Sequence, residues 1–254
     1  MSLCLRFWRF ALEARGSVFI VTGSSRGIGR AIALEAARRG AAGVVVNYVR
    51  SREAAEEVAR SIRELGSDAL VVRADVSRWE EAKSLVEAAV ERWGRVDVVV
   101  NNAGILEPKP FAEMEPRDWQ RMIEVHFYGA LNVAKAALPH MIQRRRGVIV
   151  NIASVLGLRP EPLASHYSAA KAALIAWSMA VAKELAEYGI RVFAVAPGGV
   201  DTDMARVWGD LDWVEEEVPV ARLAKPEEVA KLVLDAIENP YITGDVLTIS
   251  GALL

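Results

Sequence analysis

A doubly wound α/β domain on a parallel sheet is the fold class this chain predicts, and three observations predict it. Seven short, nearly continuous apolar runs alternate with longer stretches of helical spacing. A glycine-rich loop joins the first run to the first helical stretch, and several helical stretches stop at a glycine.

The first strand is predicted at Val18–Val21, followed by a helix over Arg30–Arg39 that stops at Gly40. Val44–Asn47 and Leu70–Val72 read as strands around a helix at Glu53–Leu65, which stops at Gly66. A helix at Trp79–Trp93 ends at Gly94 and leads to a strand at Val96–Val100. A long helix starts at Pro116–Val125 and continues toward Met141, before a strand at Val148–Ile152. Ser168–Tyr188 is helical up to Gly189, Val192–Val195 is a strand, Pro226–Glu238 a helix and Val246–Ile249 the last strand. Runs apolar on every position suit parallel strands covered on both faces, and right-handed crossovers then put ligands at their carboxyl ends. No linker interrupts residues 17–254, which are expected to form one domain behind an N-terminal extension at 1–16.

Composition narrows the function. With 31 Lys+Arg against 33 Asp+Glu, the net charge of −2 offers no electrostatic footprint for nucleic acid. No stretch has the length of a membrane helix without a charge, and Arg6 and Arg9 break up the apolar Met1–Phe10, which is read as a surface extension packing on its own domain. One cysteine, Cys4, rules out an internal disulfide and any cysteine-based zinc or iron–sulfur site. No metal is expected, and a reducing, cytoplasmic location fits.

Thr22-Gly23-Ser24-Ser25-Arg26-Gly27-Ile28-Gly29 falls between the first strand and the first helix. Glycines there let the backbone approach a diphosphate, which the free N–H groups and dipole of a helix N-terminus attract. The spacing is Gly-x-x-x-Gly-x-Gly rather than Gly-x-Gly-x-x-Gly, and between a strand and a helix it is read as a phosphate cradle rather than a ligand-free turn, with Gly23, Ser25, Arg26, Gly27, Ile28 and Gly29 as expected contacts. An acid ending the second strand would favour NAD through the ribose hydroxyls. Here Asn47 and Tyr48 end it, followed by Arg50 and Ser51, and Arg26, Arg50 and Ser51 can hold a 2′-phosphate. NADP(H) is the expected cofactor.

Tyr167 and Lys171, four apart at the start of a helix, project from one face, and Ser154 follows the fifth strand at the ligand edge. A free phenol has a pKa of about 10, and a neighbouring ammonium is expected to lower it. Tyr167 then gives a proton to a carbonyl oxygen as hydride arrives at its carbon, with Ser154 hydrogen-bonding that oxygen.

With these residues in this order, the chain resembles the short-chain dehydrogenase/reductase family from about Ser17 to Gly251. The resemblance rests on the Thr22–Gly29 loop, Asp75-Val76, Asn101-Asn102-Ala103-Gly104, Ser154 with Tyr167-x-x-x-Lys171, and Pro197-Gly198 running to Thr202-x-Met204. It looks nearest to the NADPH-using branch of 3-oxoacyl carrier-protein reductases and carbonyl reductases. It implies a seven-stranded sheet and a homotetramer pairing the two long helices that precede and contain the active tyrosine. It further implies that Asp75 and Val76 contact adenine and that Asn102, Ala103 and Gly104 lie along the cofactor. Lys171 would bond the nicotinamide ribose, and Pro197, Gly198, Val200, Thr202 and Met204 would hold the carboxamide end.

Two departures stand out. The family's usual Val-Asn-x-x-Gly reads Val125-His126-Phe127-Tyr128-Gly129 here, so His126 replaces the Asn that holds a relay water. Either its ring substitutes in the relay and titrates near neutral pH, or it is a helix-packing histidine. The closing Ile249-Ser250-Gly251-Ala252 lacks the usual acid and paired glycines, which touches tetramer contacts rather than chemistry.

A substrate lid is expected at about 200–218, where Met204, Val207, Trp208, Leu211 and Trp213 supply apolar cover. Leu156, Leu158, Pro160, Pro162, Leu163 and His166 are expected to form another wall, so that Leu156, His166 and Trp208 line the substrate pocket. The lid is acidic at Asp201, Asp203, Asp210, Asp212 and Glu215–Glu217, which opposes docking of an acidic carrier protein, whereas the basic run Arg144–Arg146 has the opposite sign. On this balance the sequence favours NADPH-dependent reduction of a hydrophobic free ketone or aldehyde. A 3-oxoacyl carrier-protein reductase is the alternative, and a non-catalytic NADP(H)-binding oligomer the remoter one.

Overall fold

A computed structural model describes residues 12–208 and 218–253. It contains seven strands: β1 Val18–Val21, β2 Gly43–Tyr48, β3 Asp68–Arg73, β4 Val98–Asn101, β5 Gly147–Ile152, β6 Ile190–Pro197 and β7 Val246–Ile249. They form one sheet in the order β3-β2-β1-β4-β5-β6-β7, every pair parallel. The helices are α1 Gly27–Arg38, α2 Arg52–Glu64, α3 Trp79–Trp93, α4 Pro116–Ile123, α5 Gly129–Arg144, α6 Ser165–Leu185 and α7 Pro226–Glu238.

The apolar runs divide between two cores by alternate residues. Phe19, Val21, Val44, Val46, Val98, Val100, Val148 and Val150 face the layer holding α1, α2 and α7. Ile20, Val45, Val99 and Ile149 face the layer of α3, α5 and α6. A period of two along strands buried on both faces makes every position apolar, which is why the sequence shows runs rather than alternation. The order reverses between β1 and β4, and the crevice opens beyond their carboxyl ends. The segments after β1, β4, β5 and β6 therefore share one edge.

The long helix expected from Pro116 toward Met141 is two helices joined by a π-helical turn, Glu124–Tyr128. That turn inserts a residue without breaking the apolar face, so periodicity does not reveal it. Immediately after it, α5 presses on the β3–α3 turn: a Cβ at Gly129 would lie 2.9 Å from Val76 Cγ2.

Leu12 and Ala14, within the expected extension, are buried in the α1/α7 core. Met1–Phe10 and the lid residues Asp210, Leu211, Asp212, Trp213 and Glu215–Glu217 lie outside the described residues. No helix among the described residues is long and apolar enough to cross a membrane.

Candidate active site

The loops after β1 and β4 are sewn together. Thr22 Oγ1 accepts from the backbone N–H of Asn102 and of Ala103, both at 2.9 Å. Asn102 Nδ2 donates to the Thr22 carbonyl at 2.9 Å and the Gly23 carbonyl at 3.2 Å. A Cβ at Gly29 would collide with that amide, and Gly23, at φ +60°, would put one 3.0 Å from Ala103 Cα. The glycines let the two loops close, and the closed loop presents the start of α1 to the crevice. The first-turn N–H groups there have no carbonyl one turn back to bond, as a diphosphate requires. Ser25, Gly27 and Ile28 are half-buried along this turn, and Thr202 Cγ2 sits 3.4 Å from where a Gly27 Cβ would be. The cradle fits a dinucleotide.

Other expected contacts are distributed unevenly. Asn47 and Tyr48 are buried and face away from a ligand role. The Asn47 amide accepts from Gly23 N at 3.0 Å and donates to the carbonyls of Val72 and Ala74, so it supports the loop from behind. Tyr48 belongs to the α1/α2 core. Arg50 and Ser51 are exposed at the start of α2. Arg26 pairs with Asp203 at 3.2 Å across the crevice, and must exchange that partner to hold a 2′-phosphate. Asp75 Oδ1 accepts from Ser77 N and Oγ at the start of α3, beside buried Val76. Pro197 ends β6, Gly198 N donates to the Ile249 carbonyl, Val200 bridges Ala224, and Met204 is half-buried in the following segment.

Ser154 follows β5 and caps a short 3-10 turn, accepting from Leu156 N at 3.1 Å. Its hydroxyl also interacts with that of Tyr167, in the sense that favours the phenolate. Lys171 lies one turn on along α6, its Nζ 5.6 Å from the centre of the Tyr167 ring and 2.6 Å from the Ile152 carbonyl to which it donates. Tyr167 and Lys171 are only 7% and 4% exposed.

The electrostatic expectation needs correcting. Burial pushes the Tyr167 phenol up to about 12, opposed only by the Ser154 hydrogen bond. Burial also brings Lys171 down to about 7. The ammonium sits over the ring face and is directed at a backbone carbonyl, so in the protein alone desolvation outweighs it. Tyr167 is held as a neutral proton donor.

His126, on the π-helical turn, meets the Tyr167 ring edge-on, with centroids 5.0 Å apart at 88°. Its Nε2 lies 2.6 Å from the Ile105 carbonyl and 3.1 Å from Ile105 N. Burial, then Lys171, drive its pKa well below the usual histidine value. Burial thus opposes titration near neutral pH, and the contacts with Ile105 and Tyr167 fit the alternative of a packing histidine. Gly104 accommodates it, since a Cβ there would lie 2.5 Å from the imidazole.

Around Tyr167 the structure gathers Leu156 and Trp208, two of the three expected pocket residues. It adds Ile105, Leu106, Met122 and Ile123, which sequence reasoning missed although the first two directly follow Gly104. His166 is buried just before Tyr167 on α6, its Nδ1 without a hydrogen-bond partner, and burial lowers its pKa.

Residues 17–211 match the short chain dehydrogenase family. The chain belongs to this family. It is 39% identical over 240 residues to a 3-oxoacyl-(acyl-carrier-protein) reductase of Synechocystis, covering 93% of this chain and 96% of the relative. The 3-oxoacyl-(acyl-carrier-protein) reductases FabG of Staphylococcus epidermidis and Staphylococcus aureus are 36% and 37% identical over 238 residues, with 92% of this chain covered and 97% and 96% of theirs. As a short-chain dehydrogenase the protein is an oxidoreductase with a seven-stranded Rossmann-like sheet.

Proposed function

We propose that the protein is an NADPH-dependent 3-oxoacyl-(acyl-carrier-protein) reductase. The observation that carries the reaction is the buried set of Tyr167, Lys171 over its ring and Ser154 at the carboxyl edge of β5, with burial holding the phenol neutral. Near-full-length similarity to reductases of that name supports the substrate. It takes precedence over the free ketone favoured from charge alone, because both charge arguments weaken. Of the lid acids that are described, Asp201 pairs with Arg206, a pairing that cofactor binding leaves in place. Arg144–Arg146 precede β5, at the edge of the sheet away from the crevice, so they do not bear on docking in either direction.

Bound NADPH supplies hydride to the 3-carbonyl carbon. Tyr167 gives its proton to the carbonyl oxygen, Ser154 donates a hydrogen bond to it, and Lys171, when charged, stabilises the phenolate left behind. Two exposed cations, Arg26 and Arg50, support NADP over NAD. A cytoplasmic homotetramer is part of the same reading: Tyr128 and Met179, exposed on the helical face of the π-helical turn and α6, supply apolar surface for pairing.

The test is NADPH oxidation with acetoacetyl carrier protein beside simple aryl ketones. The carrier-bound substrate should show the higher kcat/KM; turnover of free ketones alone rejects the reading. Arg50→Ala should raise KM for NADPH roughly tenfold or more and leave KM for NADH unchanged, since only the phosphate contact is lost. Equal effects on both cofactors would remove Arg50 from the phosphate site.

The pKa shifts set a pH dependence. Lys171, lowered to about 7, is charged below that pH and neutral above it. Only the charged form supports a developing phenolate, so kcat/KM for reduction should fall as pH rises through about 7. Alcohol oxidation, which needs the phenolate, should instead climb with pH. Because His126 stays neutral, His126→Asn should keep the same inflection; a displaced inflection would restore it as a titrating relay.

A further inference from the structure

The cations read as holding a 2′-phosphate, Arg26 and Arg50, are not equally free. Arg50 makes no ion pair among the described residues, whereas Arg26 Nη1 lies 3.2 Å from Asp203 Oδ2. We propose that Asp203 is a specificity-determining residue for the cofactor: its carboxylate competes with the 2′-phosphate for the Arg26 guanidinium and so sets the ratio of NADPH to NADH affinity. The inference rests on the NADP(H) reading and deepens it.

Backbone fixes both ends of the contact. Asp203 stands in the turn after β6, where Val200 bridges Ala224, Asp201 N donates to the Ala224 carbonyl at 2.9 Å and Ala205 N donates to the Thr202 carbonyl at 3.0 Å. That turn touches the start of α1, since Thr202 Cγ2 lies 3.4 Å from where a Gly27 Cβ would be. Arg26 is the N-cap residue of α1, in extended backbone, and its side chain makes no cap bond. Its carbonyl accepts from Arg30 N at 3.1 Å. Exchange of partners therefore needs only side-chain movement.

The charges favour that exchange for one cofactor alone. Asp201 is engaged within its own turn by Arg206, at 3.5 Å, which leaves Asp203 as the acid facing the loop. The side chains of Arg26 and Asp203 are 75% and 67% exposed, so water weakens their pair enough for it to yield. A phosphate monoester carries up to two charges and three acceptor oxygens, and takes two guanidinium N–H groups at once. Asp203 accepts from one, Nη1. A ribose hydroxyl offers no charge in exchange, so NADH leaves the pair as it is. Once displaced, Asp203 still has cations at hand: Arg30 and Arg206 line the polar recess of about 280 Å³ that opens at the pair. Asp203 thus lowers affinity for the phosphate-bearing cofactor by the fraction of time it holds Arg26.

The test is fluorescence titration of NADPH and of NADH into wild type, Asp203→Asn, Arg26→Ala, the double variant and Asp201→Asn. Asp203→Asn should lower the Kd for NADPH about two- to fivefold and keep that for NADH within about 1.5-fold. In the Arg26→Ala background the same substitution should change neither Kd, because the acid then has nothing to hold. Asp201→Asn removes an equal charge from the same turn and should leave the ratio of the two Kd values in place. An unchanged or raised NADPH Kd in Asp203→Asn, an equal change for both cofactors, an effect that survives in Arg26→Ala, or the same gain from Asp201→Asn overturns the assignment. The wild-type ratio tests the NADP(H) reading by itself. Equal affinity for the two cofactors rejects that reading and the role of Asp203 with it, whereas a preference for NADPH with a neutral Asp203→Asn rejects the role of Asp203 alone.

Discussion

Tyr167→Phe should lower turnover by roughly a thousandfold while cofactor affinity stays within about twofold, in line with the loss of a positioned general acid. The substitution removes one oxygen and keeps the ring. That ring is held by the edge-on contact with His126 and by burial with Met122, Ala164 and Ala170, none of which needs the hydroxyl. The Lys171 ammonium lies over the ring face and bonds the Ile152 carbonyl, so it also stays in place. What is lost is the proton donor and the partner of Ser154. The cradle, built from Thr22, Gly23, Gly29 and Asn102, makes no use of Tyr167, so titration of NADPH fluorescence should report nearly wild-type binding. Equal rates of NADPH oxidation in mutant and wild type would reject Tyr167 as the proton donor. A loss of NADPH binding would show that the phenol belongs to the cofactor site.

Much of this arrangement was legible because a parallel sheet converts sequence order into position. Whatever follows a strand lies at the ligand edge, and so chain order alone brings Thr22, Asn102, Ser154 and Pro197 together. The same rule places Arg144–Arg146, just before β5, at the opposite edge, in keeping with a solvated turn. Illegible features depend on where side chains turn once packed. Spacing puts Tyr167 and Lys171 on one face, but not the ammonium at the Ile152 carbonyl rather than the phenol oxygen. Asn47 looks like a strand-end ligand until its amide is seen bonded to Gly23, Val72 and Ala74. Arg26 finds Asp203 across 177 residues of chain, a pairing no local pattern encodes. The π-helical turn at Glu124–Tyr128 is likewise a tertiary effect, set where His126 fits over Gly104 and Gly129 over Val76.

A second large effect is expected far from the chemistry, at Arg191. It lies in the apolar run of β6 and is 0% exposed. Its guanidinium donates to the carbonyls of Ala236 at 3.3 Å, Ile242 at 3.0 Å and Ile237. Two of these belong to the last turn of α7, where backbone carbonyls have no N–H partner one turn on and where a cation suits the helix dipole. Burial brings Arg191 down to about 10, so it remains charged at neutral pH. Arg191→Met would fill similar space but strand buried carbonyls, each costing about 1–3 kcal/mol. A loss of roughly 3–5 kcal/mol in unfolding free energy should follow, read as a lower urea midpoint at constant m-value. Arg191→Lys should recover only part of it, because one ammonium cannot reproduce a planar fork bonded to three carbonyls. A midpoint within about 1 kcal/mol of wild type would show that water or backbone shifts satisfy those carbonyls instead. The consequence reaches the cradle, because α7 packs on α1 through Val229 and Val233 and ties to it through Arg39, which pairs with Asp235 and Glu238. Loosening the end of α7 frees the helix whose N-terminus would hold the diphosphate, so Arg191→Met should also weaken NADPH binding below the denaturation midpoint, while Tyr167→Phe should not.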